Sequence, residues 1–341
     1  MKAFDNEKYK ELQKKELKAR MERFGRLYIE VGGKMFDDNH AARVLPGFEP
    51  NVKMQVFSEL ASDLEVIFCV NANDIISKKV RADNGLTYGD ELLRLTEEMN
   101  KLGITVSGVV ITFFENHPLV DAFEEKCKAN GLSVYHSYYI SHYPDNIEKI
   151  LSPEGFGKND HIKVTKNLVL VAAPGANSGK MHTCMSQLYN DKVNGIKSFY
   201  AKYETFPVWN LPLEHLVNVA YEMSTADLGD ENVIDEFHKK AYGKFAVNYN
   251  RDEAAFPVMR DMLKAIAGEE IYKSPTDMGI NNVGFAITND FETQKAAYEE
   301  IARRHEKHVA RFENGTFTEQ AMNRSDELMQ KANEIYIKLQ K

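Results

Sequence analysis

The feature that most constrains the fold is an alternation, in the first half of the chain, of short apolar runs with longer amphipathic segments. The apolar runs are rich in β-branched and aromatic residues and lie at 26–31, 64–70, 105–114, 132–140 and 167–173. Between them, segments 88–102 and 119–130 have helical periodicity, and each is followed by a glycine, as helix C-termini prefer. Strands that alternate with helices form βαβ units, so the pattern predicts an α/β fold: a mostly parallel sheet with helices on both faces.

The pattern changes after about residue 195. Helical segments then follow one another, joined by turns that contain proline and glycine, and a strand-like run returns at 283–288. Two charged helices, predicted at 291–312 and 318–340, end the sequence. We therefore predict three parts: an α/β domain over 1–195, a mainly helical subdomain over 196–275, and a returning strand with C-terminal helices over 276–341.

Composition and charge argue against several classes of protein. Hydrophobic residues make up 43% of the chain, which is enough for a sizeable core, and the net charge of −8 argues against nucleic acid or an anionic membrane as the main partner. No apolar run reaches the ~18 residues of a membrane span. The three cysteines form no CxxC pair, and the charged N-terminus lacks an apolar signal region, so we expect a reduced, cytoplasmic protein. A homo-oligomer is left open.

The most specific chemical signal is segment 167–191, NLVLVAAPGANSGKMHTCMSQLYND. A strand-like run leads into a glycine-containing loop that opens into a helix, which is the setting of a P-loop. There, backbone amides surround phosphate oxygens, the helix N-terminus adds partial positive charge and a lysine adds a full one. The alternative is a tight turn whose glycines serve packing only. The candidate ligand-binding residues are Gly175, Asn177, Ser178, Gly179, Lys180 and Thr183.

This segment departs from the GxxxxGK[ST] motif at two positions. Pro174 stands where the first glycine belongs, and Met181 stands where a hydroxyl would bind Mg²⁺. Thr183 lies two residues further on, towards a different side of the helix. A nucleotide therefore remains the candidate cofactor, whereas a role for Mg²⁺ is in doubt.

A second loop with glycines and a lysine follows the first strand-like run. It contains Gly32, Gly33 and Lys34, and His40 and Arg43 come shortly after. Such a loop suits an anion, although a simple turn with a solvated lysine is the alternative. Because loops that follow parallel strands emerge at one edge of the sheet, we expect Lys34, Arg43 and the lysine of the first loop to line one anion pocket.

Polar segments in the second half supply candidates for acid–base chemistry. They contain Asp227, Asp230, Arg251 and Asp277, and we take Asp227 and Asp277 as the candidate catalytic residues, with helix capping as the alternative. The sequence contains no GxSxG and no HExxH, so an α/β-hydrolase is disfavoured and no metal site is predicted.

Several long stretches together resemble one family. They are GGKMFDDNHAARVLPGF, SPEGFGKNDHIKV, APGANSGKMHTCMSQLYND, IKSFYAKYETFPVWNLPLEHLVNVAYE and SPTDMGINNVGFAIT. In order, they resemble an uncharacterised bacterial family, domain-of-unknown-function family 1846, also called uncharacterised protein family 371. The resemblance implies a cytosolic α/β protein and no particular reaction. Its members are longer than this chain, so a site shared with a further C-terminal part would be incomplete here.

The sequence thus leads to one function and two alternatives. The leading hypothesis is an enzyme that binds a nucleotide or a phosphorylated metabolite, so that the expected partner is a small anionic ligand. The alternatives are a non-catalytic module that senses such a ligand, and a structural or assembly protein in which the glycine-rich loops are only turns. An enzyme needs a titratable group within hydrogen-bonding reach of the ligand, whereas a sensor does not.

Overall fold

The computed structural model describes residues 2–81 and 83–341. Within these residues the strands are β1 (Arg26–Val31), β2 (Leu64–Asn71), β3 (Thr105–Thr112), β4 (Val134–His136), β5 (Leu168–Ala172), β6 (Ser198–Tyr203), β7 (Asn232–Ile234), β8 (Val247–Tyr249) and β9 (Gly279–Ile280). The α-helices are α1 (Asn6–Phe24), α2 (Asn39–Val44), α3 (Val52–Ser58), α4 (Ala72–Ile76), α5 (Tyr88–Lys101), α6 (Pro118–Ala129), α7 (Ile147–Ile150), α8 (Lys180–Val193), α9 (Leu216–Ser224), α10 (Glu236–Tyr242), α11 (Asn250–Ala267), α12 (Pro275–Met278), α13 (Asp290–Glu313) and α14 (Glu319–Leu339).

Most strands form one sheet in the order β4-β3-β2-β5-β1-β6-β9, and every neighbouring pair in it is parallel. The central register places Leu168 of β5 opposite Leu27 of β1 on one side and opposite Leu64 of β2 on the other. Strands β7 and β8 form a separate antiparallel pair. The predicted α/β fold with a mostly parallel sheet is confirmed.

Burial on both faces explains why the central strands are continuous apolar runs. Strand β5 is buried along its whole length, and β2 is buried up to its last residue. On one face, Leu27 and Ile29 of β1 belong to a core shared with α1, α3 and α9. On the other face, Tyr28 packs in a core with side chains of α8 and α11. Alternate residues of one strand therefore serve two different cores, which is typical of a parallel sheet covered on both sides.

The two long C-terminal helices agree with the prediction to within a residue or two. Asn289 caps α13 by accepting a hydrogen bond from the amide of Glu292, and Thr318 caps α14 in the same way through the amide of Ala321. Helix α13 packs against α9, α14 and α2. No helix formed by the described residues is both long enough and apolar enough to cross a membrane.

Three details differ from the predicted strands. The run at 132–140 forms a strand only over Val134–His136. The strand predicted at 283–288 is wrong, since Gly284–Ala286 is a 3-10 turn and the sheet ends instead at β9. Strand β6 was not predicted at all, yet it pairs with β1 along its length, so the sheet continues into the residues expected to be mainly helical.

Candidate functional site

A cleft of about 1680 Å³ opens at the carboxyl edge of the sheet. Its walls are the segments that directly follow β1, β3, β5 and β6, together with parts of α9, α11 and α13. The chain leaves β2 and β5 in opposite directions, because β2 continues to β3 on one side while β5 continues to β6 on the other. Ligands of open α/β proteins bind where strand order reverses in this way. Both predicted glycine–lysine loops line this cleft.

The loop after β5, residues 173–179, leads into α8, which begins at Lys180, so the predicted order of strand, loop and helix is present. Gly179 adopts a left-handed conformation with φ of 82°, and no side chain caps the helix. The backbone amides from Gly175 to His182 find no hydrogen-bond acceptor among residues 2–81 and 83–341. The first amides of any helix lack internal partners, but here those of the preceding loop are free as well. The loop and the first turn of α8 therefore offer a row of donors beside the cleft.

Close packing explains the two glycines of this loop. A Cβ at Gly175 would lie 2.3 Å from the hydroxyl of Tyr88, and one at Gly179 would lie 2.7 Å from Cγ2 of Thr112. The Thr112 hydroxyl donates to the carbonyl of Ser178 at 3.0 Å, and the Ser178 hydroxyl donates to the carbonyl of Gly175 at 3.0 Å. These bonds fix the loop through its carbonyl oxygens and leave its amides unoccupied.

Lys180 adds a full positive charge to these donors. Lys180 lines the cleft, as do Asn177 and Ser178. In the part of the chain that the structure describes, no carboxylate lies within the 4.0 Å of an ion pair from its ammonium group. The charge of Lys180 is therefore not already matched by the protein.

The second loop also reaches the cleft, but its charge is matched. Gly32, Gly33 and Lys34 all line the cleft, and the Lys34 ammonium lies 2.6 Å from the carboxylate of Asp83. Asp83 also pairs with Arg81 at 2.7 Å. The hydrogen bond from Arg81 and that from Lys34 hold the pKa of Asp83 well below its usual range. Lys34 therefore belongs to an ion-pair network rather than standing free.

His40 and Arg43, on α2, meet the carboxylate of Glu300 on α13 at 3.2 and 2.7 Å. Arg303 and Arg304 reach the same carboxylate at 2.6 and 2.9 Å. Burial opposes the ionisation of Glu300, but the hydrogen bonds from His40 and from the arginines outweigh it and hold the pKa of Glu300 far below its usual range. We call Arg43, Arg303 and Arg304 the arginine cluster, and all three line the cleft. Among the described residues, the carboxylate of Glu300 is the only one that pairs with them.

A group of largely buried titratable side chains lines the cleft around the end of β6. Lys202 pairs with Glu204 at 2.8 Å and also contacts the carboxylate of Asp252 and the hydroxyl of Tyr249. Burial raises the pKa of Glu204 to about 7, because desolvation and the Asp252 carboxylate outweigh the attraction of Lys202. We call Lys202, Glu204, Asp252 and Tyr249 the floor cluster. A carboxyl group that titrates near neutral pH in a cleft is suited to proton transfer.

Comparison with known sequences places the chain in a family. Residues 2–333 match the family described as domain of unknown function DUF1846, N-terminal. The chain belongs to this family. A UPF0371 protein of Streptococcus thermophilus is 51% identical over 328 residues, which cover 96% of this chain and 66% of the relative. A UPF0371 protein of Streptococcus pneumoniae is 50% identical over the same number of residues. This DUF1846 chain thus spans 66% of the length of the curated relatives it matches.

Three predicted residues of this DUF1846 chain are not brought to the cleft. Thr183 is buried, and its hydroxyl accepts a hydrogen bond from the thiol of Cys69 at 3.3 Å. Asp227 lies within 3.7 Å of Arg311, and Asp277 accepts a hydrogen bond from a tyrosine hydroxyl of α10 at 2.8 Å. None of the three lines the cleft, so none is placed to contact a ligand bound there.

Two polar residues that the sequence suggested for acid–base chemistry also line the cleft, as do two arginines of α13. Asp230 and Arg251 both line it, and they pair with each other at 2.6 Å. Arg303 and Arg304 were expected only as part of a charged helix, although their spacing from Glu300 does place all three on one helix face. Among the described His, Cys, Asp and Glu side chains, no group of three is arranged to hold a metal ion.

Proposed function

We propose that the cleft binds the phosphate of a nucleotide or of a phosphorylated metabolite, and that the chain is an enzyme acting on that ligand. The observation that carries the proposal is the row of unoccupied amides from Gly175 to His182, together with the unmatched charge of Lys180 in the same cleft. Backbone donors at a helix N-terminus together with a lysine suit a phosphate group in both geometry and charge. The Gly175 and Gly179 contacts keep these donors in place before a ligand arrives.

A second anionic group of the ligand, or of a second substrate, would bind at the arginine cluster. There, three guanidinium groups surround the single carboxylate of Glu300, so positive charge is in excess on the same cleft. Guanidinium groups bind carboxylates and phosphates through paired hydrogen bonds. Lys34, which the sequence also suggested for this role, is matched by Asp83 and would contribute little.

The floor cluster supports an enzyme rather than a sensor. Lys202 and Glu204 line the same cleft as the phosphate donors, and Glu204 is a carboxyl group that can gain and lose a proton near neutral pH. A sensor needs affinity but no such group. In this proposal Glu204 exchanges a proton with the bound ligand while Lys202 stabilises negative charge.

A Lys180→Ala variant tests the phosphate site. Inorganic phosphate, pyrophosphate and a panel of nucleotides and sugar phosphates would be screened by thermal shift, since a ligand that binds only the folded state raises the melting temperature. We expect Lys180→Ala to weaken binding by roughly 10- to 150-fold, the equivalent of the ~1.5–3 kcal/mol of a charge-assisted hydrogen bond.

The matched control is Lys192→Ala, which removes the same charge at the exposed C-terminal end of the same helix. That variant should bind as the unmodified protein does. Equal weakening in both variants would mean that only overall charge matters, and no stabilisation by any phosphate compound would reject the site. Loss of the fold in Lys180→Ala would favour a purely structural role for the loop.

A further inference from the structure

Two aromatic rings lie in the cleft and remain exposed. Phe113, which directly follows β3, is 46% exposed, and Tyr139, which lies shortly after β4, is 70% exposed. Both line the cleft, their ring centroids are 6.5 Å apart, and their planes are inclined by 36°. Single exposed aromatic residues are common, but a neighbouring pair that faces a cleft offers a continuous apolar surface. We call Phe113 and Tyr139 the aromatic pair.

Phe113 is attached to the phosphate-site loop through its neighbour. Thr112 donates its hydroxyl to the carbonyl of Ser178 at 3.0 Å, and its methyl group fills the space that a side chain at Gly179 would need. Phe113 itself has a φ of 51°, which is uncommon for a bulky residue. The backbone turns at this point, and the Phe113 ring lines the cleft instead of extending the core.

Tyr139 is attached to the helix that carries the loop. The amide of Tyr138 donates to the side chain of Asn159 at 2.9 Å, and Asn159 in turn donates to the hydroxyl of Ser186, on α8, at 3.0 Å. Asn159 and Ser186 are both buried. The residue before Phe113 is therefore bonded directly to the loop that presents the free amides, and the residue before Tyr139 is linked to the following helix through Asn159.

We propose that the aromatic pair stacks on the base of a nucleotide whose phosphate occupies the amides of residues 175–182 and Lys180. This inference rests on the proposed function and narrows it from phosphate compounds in general to nucleotides. A sugar phosphate would use the amides and the lysine but would leave the rings unoccupied. A nucleotide joins an anionic group to a planar ring with a π-face. Here the donors and the rings line one cleft, and Phe113 directly follows Thr112, which is bonded to the loop that carries the donors.

The experiment compares ligands with and without a base on matched variants. Binding of ADP, ribose 5-phosphate and pyrophosphate would be measured by isothermal titration calorimetry on the whole chain. We expect Tyr139→Ala to weaken ADP binding by roughly 5- to 150-fold, the effect of losing one base–aromatic stacking contact, and to leave ribose 5-phosphate and pyrophosphate unchanged. Tyr139→Phe keeps the ring and should keep the affinity. Phe245→Ala, which removes a ring that is 69% exposed but lies outside the cleft, is the control for surface aromatics.

The outcomes separate this inference from the proposal on which it rests. If pyrophosphate binds but ADP binds no more tightly, or if Tyr139→Ala leaves ADP affinity unchanged, the aromatic pair is not a base site and the phosphate site stands. If none of the three compounds binds, both proposals fail. If Tyr139→Ala weakens all three ligands equally, the residue supports the loop rather than a base, which also overturns the inference.

Discussion

Glu204 gives the most quantitative prediction. Its side chain is 12% exposed and lies 2.8 Å from the Lys202 ammonium, and burial raises the pKa of Glu204 from the ordinary 4.5 to about 7. The folded state therefore binds a proton more tightly than the unfolded state does. Because protonation favours the folded state, the contribution of Glu204 to stability is largest below about pH 4.5 and is lost as the pH rises through 7. At ~1.4 kcal/mol per pKa unit the loss amounts to roughly 3 kcal/mol.

The perturbation is Glu204→Gln, which keeps the shape and an oxygen acceptor for Lys202 but cannot ionise. At pH 5 the variant and the unmodified protein should have similar free energies of unfolding. At pH 8 the variant should be more stable by as much as roughly 3 kcal/mol, because it avoids placing a second buried carboxylate beside Asp252. The assay is urea unfolding at both pH values, with midpoints and slopes fitted separately.

Two comparisons isolate this effect. Burial also raises the pKa of Glu253 to about 7, but that residue is present in both proteins, so its contribution cancels in the difference. Glu313→Gln, at an exposed position, controls for the loss of one negative charge. A difference between Glu204→Gln and the unmodified protein that is the same at pH 5 and pH 8 would refute the reasoning.

Two further predictions concern packing and charge around the cleft. Glu300→Gln should lower the free energy of unfolding, measured in urea, by about 3–5 kcal/mol, because the arginines around that buried carboxylate lose their counter-charge. The control is Glu299→Gln, at an exposed position on the same helix, which should change the free energy of unfolding by less than about 0.5 kcal/mol. Gly179→Ala should lower the free energy of unfolding by about 1–3 kcal/mol more than Gly195→Ala does, and it should also weaken phosphate binding. Both glycines have positive φ, but only at Gly179 would the new Cβ meet Thr112. Equal losses of stability for the two variants in thermal unfolding would contradict this packing role.

The predictable part of the fold is the part that local burial encodes. Strands β2 and β5 are covered on both faces and therefore appear in the sequence as uninterrupted apolar runs. Strand β6 does not, because Lys202 interrupts SFYAKY. Burial of Lys202 depends on ion pairs with Glu204, which directly follows the strand, and with Asp252, which lies on α11. Strand β9 has only two residues, Gly279 and Ile280, so no periodicity can mark it.

The same distinction applies to the candidate site. The loop before α8 combines its glycines, its lysine and the helix start within a few residues, so the sequence alone located it. The arginine cluster depends on α13 packing against α2, which brings Arg43 to Glu300 across more than 250 positions. Phe113 and Tyr139 are likewise ordinary aromatic residues until the ends of β3 and β4 meet at one edge of the sheet. Contacts of this length have no local signature in a single sequence.

The net charge of −8 for the whole chain gives no guide to what the cleft binds. Most basic side chains that line the cleft already form ion pairs with carboxylates of the protein. Lys34 pairs with Asp83, which it shares with Arg81, and Arg251 pairs with Asp230, so Lys34 and Arg251 each already have a counter-charge. Excess positive charge remains at Lys180 and at the arginine cluster, both on the same cleft. Unmatched charge that is held in place attracts an anion more strongly than charge already neutralised by a neighbour. We therefore expect the anionic groups of the proposed ligand to bind where a cation lacks a carboxylate, as at Lys180, or where three cations share one, as at the arginine cluster. The number of basic residues that line the cleft is a poorer guide.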